Sequence, residues 1–268
     1  MTERHGKQYA TLTVLGCGTS TGVPIPGCSC AVCTSKDQKN KRLRTSSVVT
    51  LPNKEVILID ASPDLRWQAL KHNVSRVDAV LYTHAHADHI LGTDDLRVFN
   101  FWKKGSIPCF ANQETLTSLR KSFHYIFEPD PLYQGGALAK LSLHEVSAGT
   151  AFNASGQSIL PLLLYHGDLP VLGWRIGDLA YATDCNRIPE ETRKLLVGVK
   201  TLFLDGLRDE PHATHFTISE AIDVASSLEV EQTFLLHMTH TVDYNEVSKR
   251  LPSGVQLAYD GLNVDFLP

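Results

Sequence analysis

The chain has 268 residues, 43% of them hydrophobic and 20% charged, with a formal net charge of −4. That is enough apolar material for a large core, and the charge balance excludes a general basic field for gathering nucleic acid. No run of about 18 apolar residues occurs, Met1 is followed by polar Thr2, Glu3 and Arg4, and neither a membrane span nor a signal region is expected.

Six cysteines are few, and three of them lie between positions 28 and 33. That clustering suits metal ligation better than a disulfide framework. A cytoplasmic location is expected. Residues 11–15 alternate as a strand and run into Gly16-Cys17-Gly18-Thr19-Ser20-Thr21-Gly22-Val23-Pro24. A glycine-rich turn after a strand suggests a phosphate cradle. However, no Gly-Lys-Ser/Thr follows, and Pro24 with Pro26 forbids an immediate helix, so this is not a P-loop. In Gly27-Cys28-Ser29-Cys30-Ala31-Val32-Cys33 the thiols are spaced to point inward from one loop, as in a zinc knuckle. Three ligands are one short of a closed site, and three inert thiols are the alternative. The basic run over residues 36–44 reads as a solvated loop, or as a contact for an anionic substrate.

Residues 46–51 and 55–59 read as paired strands around Pro52-Asn53. The second ends in Asp60, a carboxylate that needs a donor if buried or caps the helix expected over 63–72. Val77, Ala79, Val80 and Leu81 then read as a buried strand leading into His84-Ala85-His86-Ala87-Asp88-His89, three imidazoles and a carboxylate within six residues. Neutral imidazole and carboxylate are the ligand set of zinc, manganese or iron(II), so this stretch reads as a metal site. A helix is expected over 90–102, with Leu91, Leu96, Phe99 and Trp102 on its apolar face. A strand over 107–111, a helix over 113–123 and an irregular surface loop near the site over 127–136 follow.

Strands are expected over 141–146 and 159–165, the latter ending in His166. A hairpin of 172–176 and 179–182 turns over Gly177-Asp178 and delivers Asp184. After a helix over 189–196, a strand over 201–204 ends in Asp205. His215 precedes Thr217-Ile218-Ser219-Glu220, a capping box that opens a helix over 217–228. The strand over 233–236 ends in His237, with His240 three residues on. A helix over 244–251 and strands over 256–259 and 263–266 close the chain. Paired strands followed by strand–helix units recur in both halves without a linker. This predicts an α/β fold, a four-layer αββα sandwich of two mixed β-sheets forming one domain over 1–268.

The motif His84-x-His86-x-Asp88-His89, followed in order by His166, Asp184 and His237 at strand ends, resembles the signature of the metallo-β-lactamase superfamily. That resemblance independently implies the αββα fold. It also implies that His84, His86 and His166 hold one divalent ion, and that Asp88, His89 and His237 hold a second. Asp184 would bridge them, and Asp60 would orient a ligand. Members that open β-lactams commonly carry cysteine where Asp184 stands; here Cys185 is only adjacent. Cys28, Cys30 and Cys33, with His240 in the place of a fourth ligand, resemble the extra zinc knuckle of the PhnP-type cyclic phosphate phosphodiesterases of the carbon–phosphorus lyase pathway. The knuckle would span about residues 27–34. The early glycine loop, which lies along the active-site rim in that branch, and the ending Asp260-Gly261 are similar too. By the same resemblance, His215 is the transition-state stabiliser or general acid; otherwise it is a surface histidine.

The implied activity is hydrolysis of a small, cyclic phosphodiester, with His215 and Asp88 as catalytic residues. Two active-site ions, manganese or zinc, and one structural zinc are the implied cofactors. Rival readings are a tRNA 3′-processing nuclease, a thioester or lactam hydrolase, an iron oxygenase of the same fold and a non-catalytic nucleotide-binding module. The nuclease would need a projecting arm, and no such insertion is visible. Expected partners are a small phosphodiester or nucleotide, with no stable nucleic acid and no membrane; a homodimer is left open.

Overall fold

The computed structural model describes residues 8–130, 132 and 134–268. The stretch that bears on a signal region, residues 1–7, lies outside the described residues, as do positions 131 and 133 of the expected irregular loop. Among the described residues no helix is long and apolar enough to cross a membrane.

The strands are β1 (Ala10–Gly16), β2 (Ser46–Thr50), β3 (Val56–Ile59), β4 (Ala79–Leu81), β5 (Ile107–Ala111), β6 (Leu141–Glu145) and β7 (Phe152–Ala154). They continue as β8 (Gln157–His166), β9 (Leu169–Ile176), β10 (Leu179–Ala182), β11 (Thr201–Asp205), β12 (Gln232–Leu236), β13 (Val255–Leu257) and β14 (Asn263–Phe266). All but β7 coincide with expected strands to within a few residues. Two seven-stranded sheets result, ordered β14-β1-β2-β3-β4-β5-β6 and β13-β12-β11-β10-β9-β8-β7. Each sheet is mixed. Pairing is antiparallel up to β3 and up to β10, then parallel through β4–β6 and β11–β13.

The two-residue period of a strand builds the layers. In β3, Ile57 and Ile59 join the core that contains both sheets, while Leu58 joins the core beneath the helices. In β4, Ala79 and Leu81 face the first core and Val80 the second. Strands buried on both faces read as continuous apolar runs, which is why these are legible. Over the first sheet, the second core takes Leu65, Leu96, Leu116 and Leu119 from helical segments. On the other side, Ile218, Ala221 and Val224 of the helix Ile218–Ser227 cover the second sheet. The capping box at Thr217 and Glu220 is formed as expected.

The helix expected over 90–102 is instead broken. A turn of helix at Ala87–Ile90, a 3₁₀ segment at Thr93–Leu96 and another turn at Arg97–Asn100 replace it. The break falls at Gly92, whose N–H donates to the Ala61 carbonyl at 2.8 Å. A Cβ there would lie 2.0 Å from the Ser62 carbonyl oxygen. Leu96 and Phe99 are buried, but Leu91 and Trp102 are 51% and 83% exposed, so only half of the expected apolar face packs inward.

Candidate metal centre

Each sheet switches from antiparallel to parallel pairing beside one strand end, a place where α/β folds gather ligands. Asp60 follows β3, His84 follows β4, Asp184 follows β10, Asp205 ends β11 and His237 follows β12. Asp60, Asp184 and His237 have φ of 59°, 52° and 60°, the left-handed region that a non-glycine residue occupies only when its surroundings hold it there. The fold therefore aims these side chains at one place.

The side chains meet in the groups Asp88–His89–Asp184–His237 and His84–His86–Asp184, together with His166–Asp184–His215. Asp184 belongs to all three. Its Oδ2 lies 3.3 Å from His89 Nε2, 3.2 Å from His237 Nε2 and 3.8 Å from His84 Nε2. Asp88 Oδ2 lies 3.3 Å from His89 Nε2 and 3.6 Å from His237 Nε2. Two ligand atoms held about 2.0–2.2 Å from one ion stand roughly 3–3.6 Å apart, so the separations among Asp88, His89, Asp184 and His237 fit a shared cation, while that from His84 is slightly longer. His84 Nε2, Asp88 Oδ2, His89 Nε2 and His237 Nε2 are buried without a hydrogen-bond partner. Orphaned buried polar atoms are costly, and here they converge. The residues fit divalent ions.

Charge supports the same reading. Burial pushes the His84 imidazole well down and His166 down to about 4, so both are neutral donors. Burial alone would raise Asp88 and Asp184, but neighbouring His237 and His89 hold both carboxyls far below the usual range. His89 and His237 would be lowered by burial, yet the Asp184 carboxylate raises both. The cluster attracts positive charge to its centre.

Partners behind the cluster fix the rings. Asp60 Oδ2 accepts from His89 Nδ1 at 2.7 Å, and the same carboxylate accepts from the Thr83 N–H and hydroxyl. The helix after it begins at Leu65, with Asp64 rather than Asp60 preceding it. His166 Nδ1 donates to the Thr214 carbonyl at 3.0 Å. In both residues Nδ1 is engaged behind the cluster, so Nε2 is the nitrogen turned toward a metal. His215 Nδ1 lies 2.7 Å from Asp205 Oδ2, and its ring sits 4.5 Å from His166 and 4.8 Å from His237. His215 is therefore buried against the cluster rather than on the surface.

The second group is Cys28, Cys30, Cys33 and His240. His240 Nδ1 lies 3.4, 3.4 and 3.7 Å from the three sulfurs. A tetrahedral zinc with Zn–S of about 2.3 Å and Zn–N of about 2.0 Å sets sulfur and nitrogen roughly 3.5 Å apart. The four residues fit a closed zinc site. Their loop also carries a turn of helix at Ala31–Thr34, opened by Cys30.

Two residues with a part in this architecture escape the sequence reading. Asp205 is visible there as a strand end, but nothing local pairs it with His215, ten residues on. The basic run that reads as a solvated loop contains Arg42, and the structure corrects that expectation: Arg42 is 1% exposed and donates to the Thr239 and Val242 carbonyls. The glycine loop before it pairs through Gly18 with Met238, next to His237.

Known proteins resemble this chain. The family described as "Beta-lactamase superfamily domain" matches residues 55–238. A solved structure of "a New Diphosphatase from the PhnP Family" is 40% identical, covers 96% of this chain and 97% of its own, and superposes with a TM-score of 0.89. An octanoyltransferase of Porphyromonas gingivalis is 40% identical over 251 residues, 93% of this chain. The chain spans only 50% of that relative's length. Zinc-bound PqqB from Methylobacterium extorquens, 21% identical, shares the fold with a TM-score of 0.77, covering 96% and 100% of the two chains. By its matched residues and its near-full-length relative, the chain belongs to the metallo-β-lactamase superfamily and, within it, to the PhnP family.

Proposed function

We propose that the chain is a metal-dependent hydrolase of a small phosphodiester, with a cyclic diester as the preferred form. The observation that carries this reading is the Asp205–His215 pair set against the His166 and His237 rings, at the edge of a cluster suited to two cations. His84, His86, His166 and Asp184 would hold one ion, and Asp88, His89, His237 and Asp184 the other. When bound, two such ions supply Lewis acidity toward a phosphoryl oxygen and lower the pKa of water.

The remaining work falls to side chains. Asp60 and the Thr214 carbonyl would hold the His89 and His166 rings through Nδ1, with Nε2 turned to the ions. Asp205 holds the proton on His215 Nδ1, which leaves Nε2 to face the substrate. A protonated Nε2 donates to a phosphoryl oxygen or to the departing alkoxide, where negative charge grows as the P–O bond breaks. Asp88, whose Oδ2 faces His89 and His237, would ligate the second ion.

A substituted diphosphate is the second reading, favoured by the relative named as a diphosphatase. The octanoyltransferase name belongs to a chain twice as long and supports an acyl substrate only as a competitor. Metal-loaded protein should be assayed against cyclic nucleotides, linear diesters, a substituted diphosphate and an octanoyl thioester. Turnover of a diester above the others is expected. Preference for the diphosphate would move the substrate to the second reading, and preference for the thioester would reject phosphoryl chemistry.

A further inference from the structure

The two clusters share one short segment. His237 follows β12 and enters the buried cluster, while His240, three residues on, faces the cysteine loop. Arg42 grips the chain on both sides of His240. Its Nη1 donates to the Thr239 carbonyl at 3.1 Å, and its Nη2 to the Val242 carbonyl at 2.7 Å. Nη2 also donates to Asn40 Oδ1 at 3.1 Å. Asn40 extends the grip: Oδ1 accepts from the Tyr244 N–H at 2.8 Å, and Nδ2 donates to Asp243 Oδ2 at 2.9 Å.

The backbone of Arg42 is tied just as firmly, since it exchanges both hydrogen bonds with Val23, in the strip that leads into the cysteine loop. The other side of the segment is held by the glycine loop. The Met238 N–H donates to the Cys17 carbonyl at 3.0 Å, and the Thr19 N–H donates to the Met238 carbonyl at 3.2 Å. A Cβ on Gly18 would lie 2.8 Å from the Arg42 carbonyl oxygen, so the loop and Arg42 are in close packing. His237 itself is held at a φ of 60°. Such a conformation persists only where neighbouring structure imposes it.

We propose that Arg42 is a positioning residue that couples the two clusters: metal in the cysteine loop fixes the segment 237–242 through Arg42, and so strengthens metal binding at the His237 cluster. A buried guanidinium with three acceptors in fixed directions suits this task, because its planar fork holds separate carbonyls at set angles where an ammonium cannot. Linkage makes the effect reciprocal, so filling the His237 cluster also strengthens the knuckle.

Cobalt(II) tests this in the full-length protein, because thiolate-bound and imidazole–carboxylate-bound cobalt absorb differently and both clusters are read in one titration. Wild type, Cys28→Ser, Arg42→Lys and the double variant form a cycle. Cys28→Ser should weaken cobalt binding at the imidazole–carboxylate cluster by roughly fivefold or more, within the usual range for coupled sites. In the Arg42→Lys background the same change should have an effect of less than about twofold. Equal losses in both backgrounds would overturn the role of Arg42. If Arg42→Lys does not fold, wild type and Cys28→Ser decide alone: unchanged cobalt affinity at the imidazole–carboxylate cluster overturns the coupling. No substrate enters the experiment, so its outcome is independent of the proposed reaction.

Discussion

The two clusters of this protein are assembled by opposite means. The cysteine loop draws three ligands from six consecutive residues and only His240 from elsewhere. The buried cluster draws its members from the ends of strands in both sheets, and Asp60, Thr83 and the Thr214 carbonyl stand behind them. Four sulfur and nitrogen atoms in mutual contact make a closed set with no place for a substrate. The imidazole–carboxylate cluster has Asp184 at its centre and His215 at its edge. One is a local set closed by a single distant residue, and the other is assembled by the whole fold.

The sharpest break in this comparison is Asp184→Asn. Asp184 is common to the three groups that hold His84, His89 and His166, so its loss should empty at least one ion position and bring turnover to background. Metal analysis at saturating zinc should show the cysteine loop still filled. Loss of metal from both clusters together would mean that they do not stand apart in this way.

Next in size is His215→Ala. The change should lower kcat by roughly 10²–10⁴-fold while metal content is unchanged. If His215 protonates the leaving oxygen, the loss should shrink for a diester with a nitrophenolate leaving group. Equal losses on good and poor leaving groups would assign it to charge stabilisation, and no loss would remove it from the reaction.

The same contrast explains what is legible in the sequence. Cys28 to Cys33 and His84 to His89 are readable because their ligands crowd into a few residues. The apolar strands are readable because burial on both faces leaves a run that polar residues do not interrupt. β7 is Phe152-Asn153-Ala154, with an exposed asparagine at its centre and a single fully buried residue, and it offers no apolar run to read. The broken helix after His89 carries a helical apolar pattern, but the approach of Gly92 to the Ala61–Ser62 backbone is a tertiary fact. Arg42 and Asp205 are opaque for the same reason. The partners of Arg42 at Thr239 and Val242 lie about two hundred positions away, and no local pattern distinguishes a buried arginine held by carbonyls from a solvated one.

The smallest effect on turnover, and the one that defines the knuckle, is expected from His240→Ala. Its Nδ1 faces all three sulfurs, and Cys28 and Cys30 approach it equally. Removing it leaves the three sulfurs without their imidazole partner, so the site opens to solvent and zinc is held less tightly. Zinc per chain should fall, and Cys28, Cys30 and Cys33 should become reactive toward a thiol reagent. Binding energy at a structural zinc site is partly folding energy, so the unfolding midpoint should drop as well. The two sheets retain their shared core, which contains none of the three cysteines, and complete unfolding is not expected. With saturating metal, the buried cluster keeps all its own residues, and turnover should fall by less than about tenfold, as for a residue outside the reacting shell. Retained zinc with protected thiols would show that His240 is not the fourth ligand. A collapse of turnover to the level of Asp184→Asn would instead place His240 in the reaction.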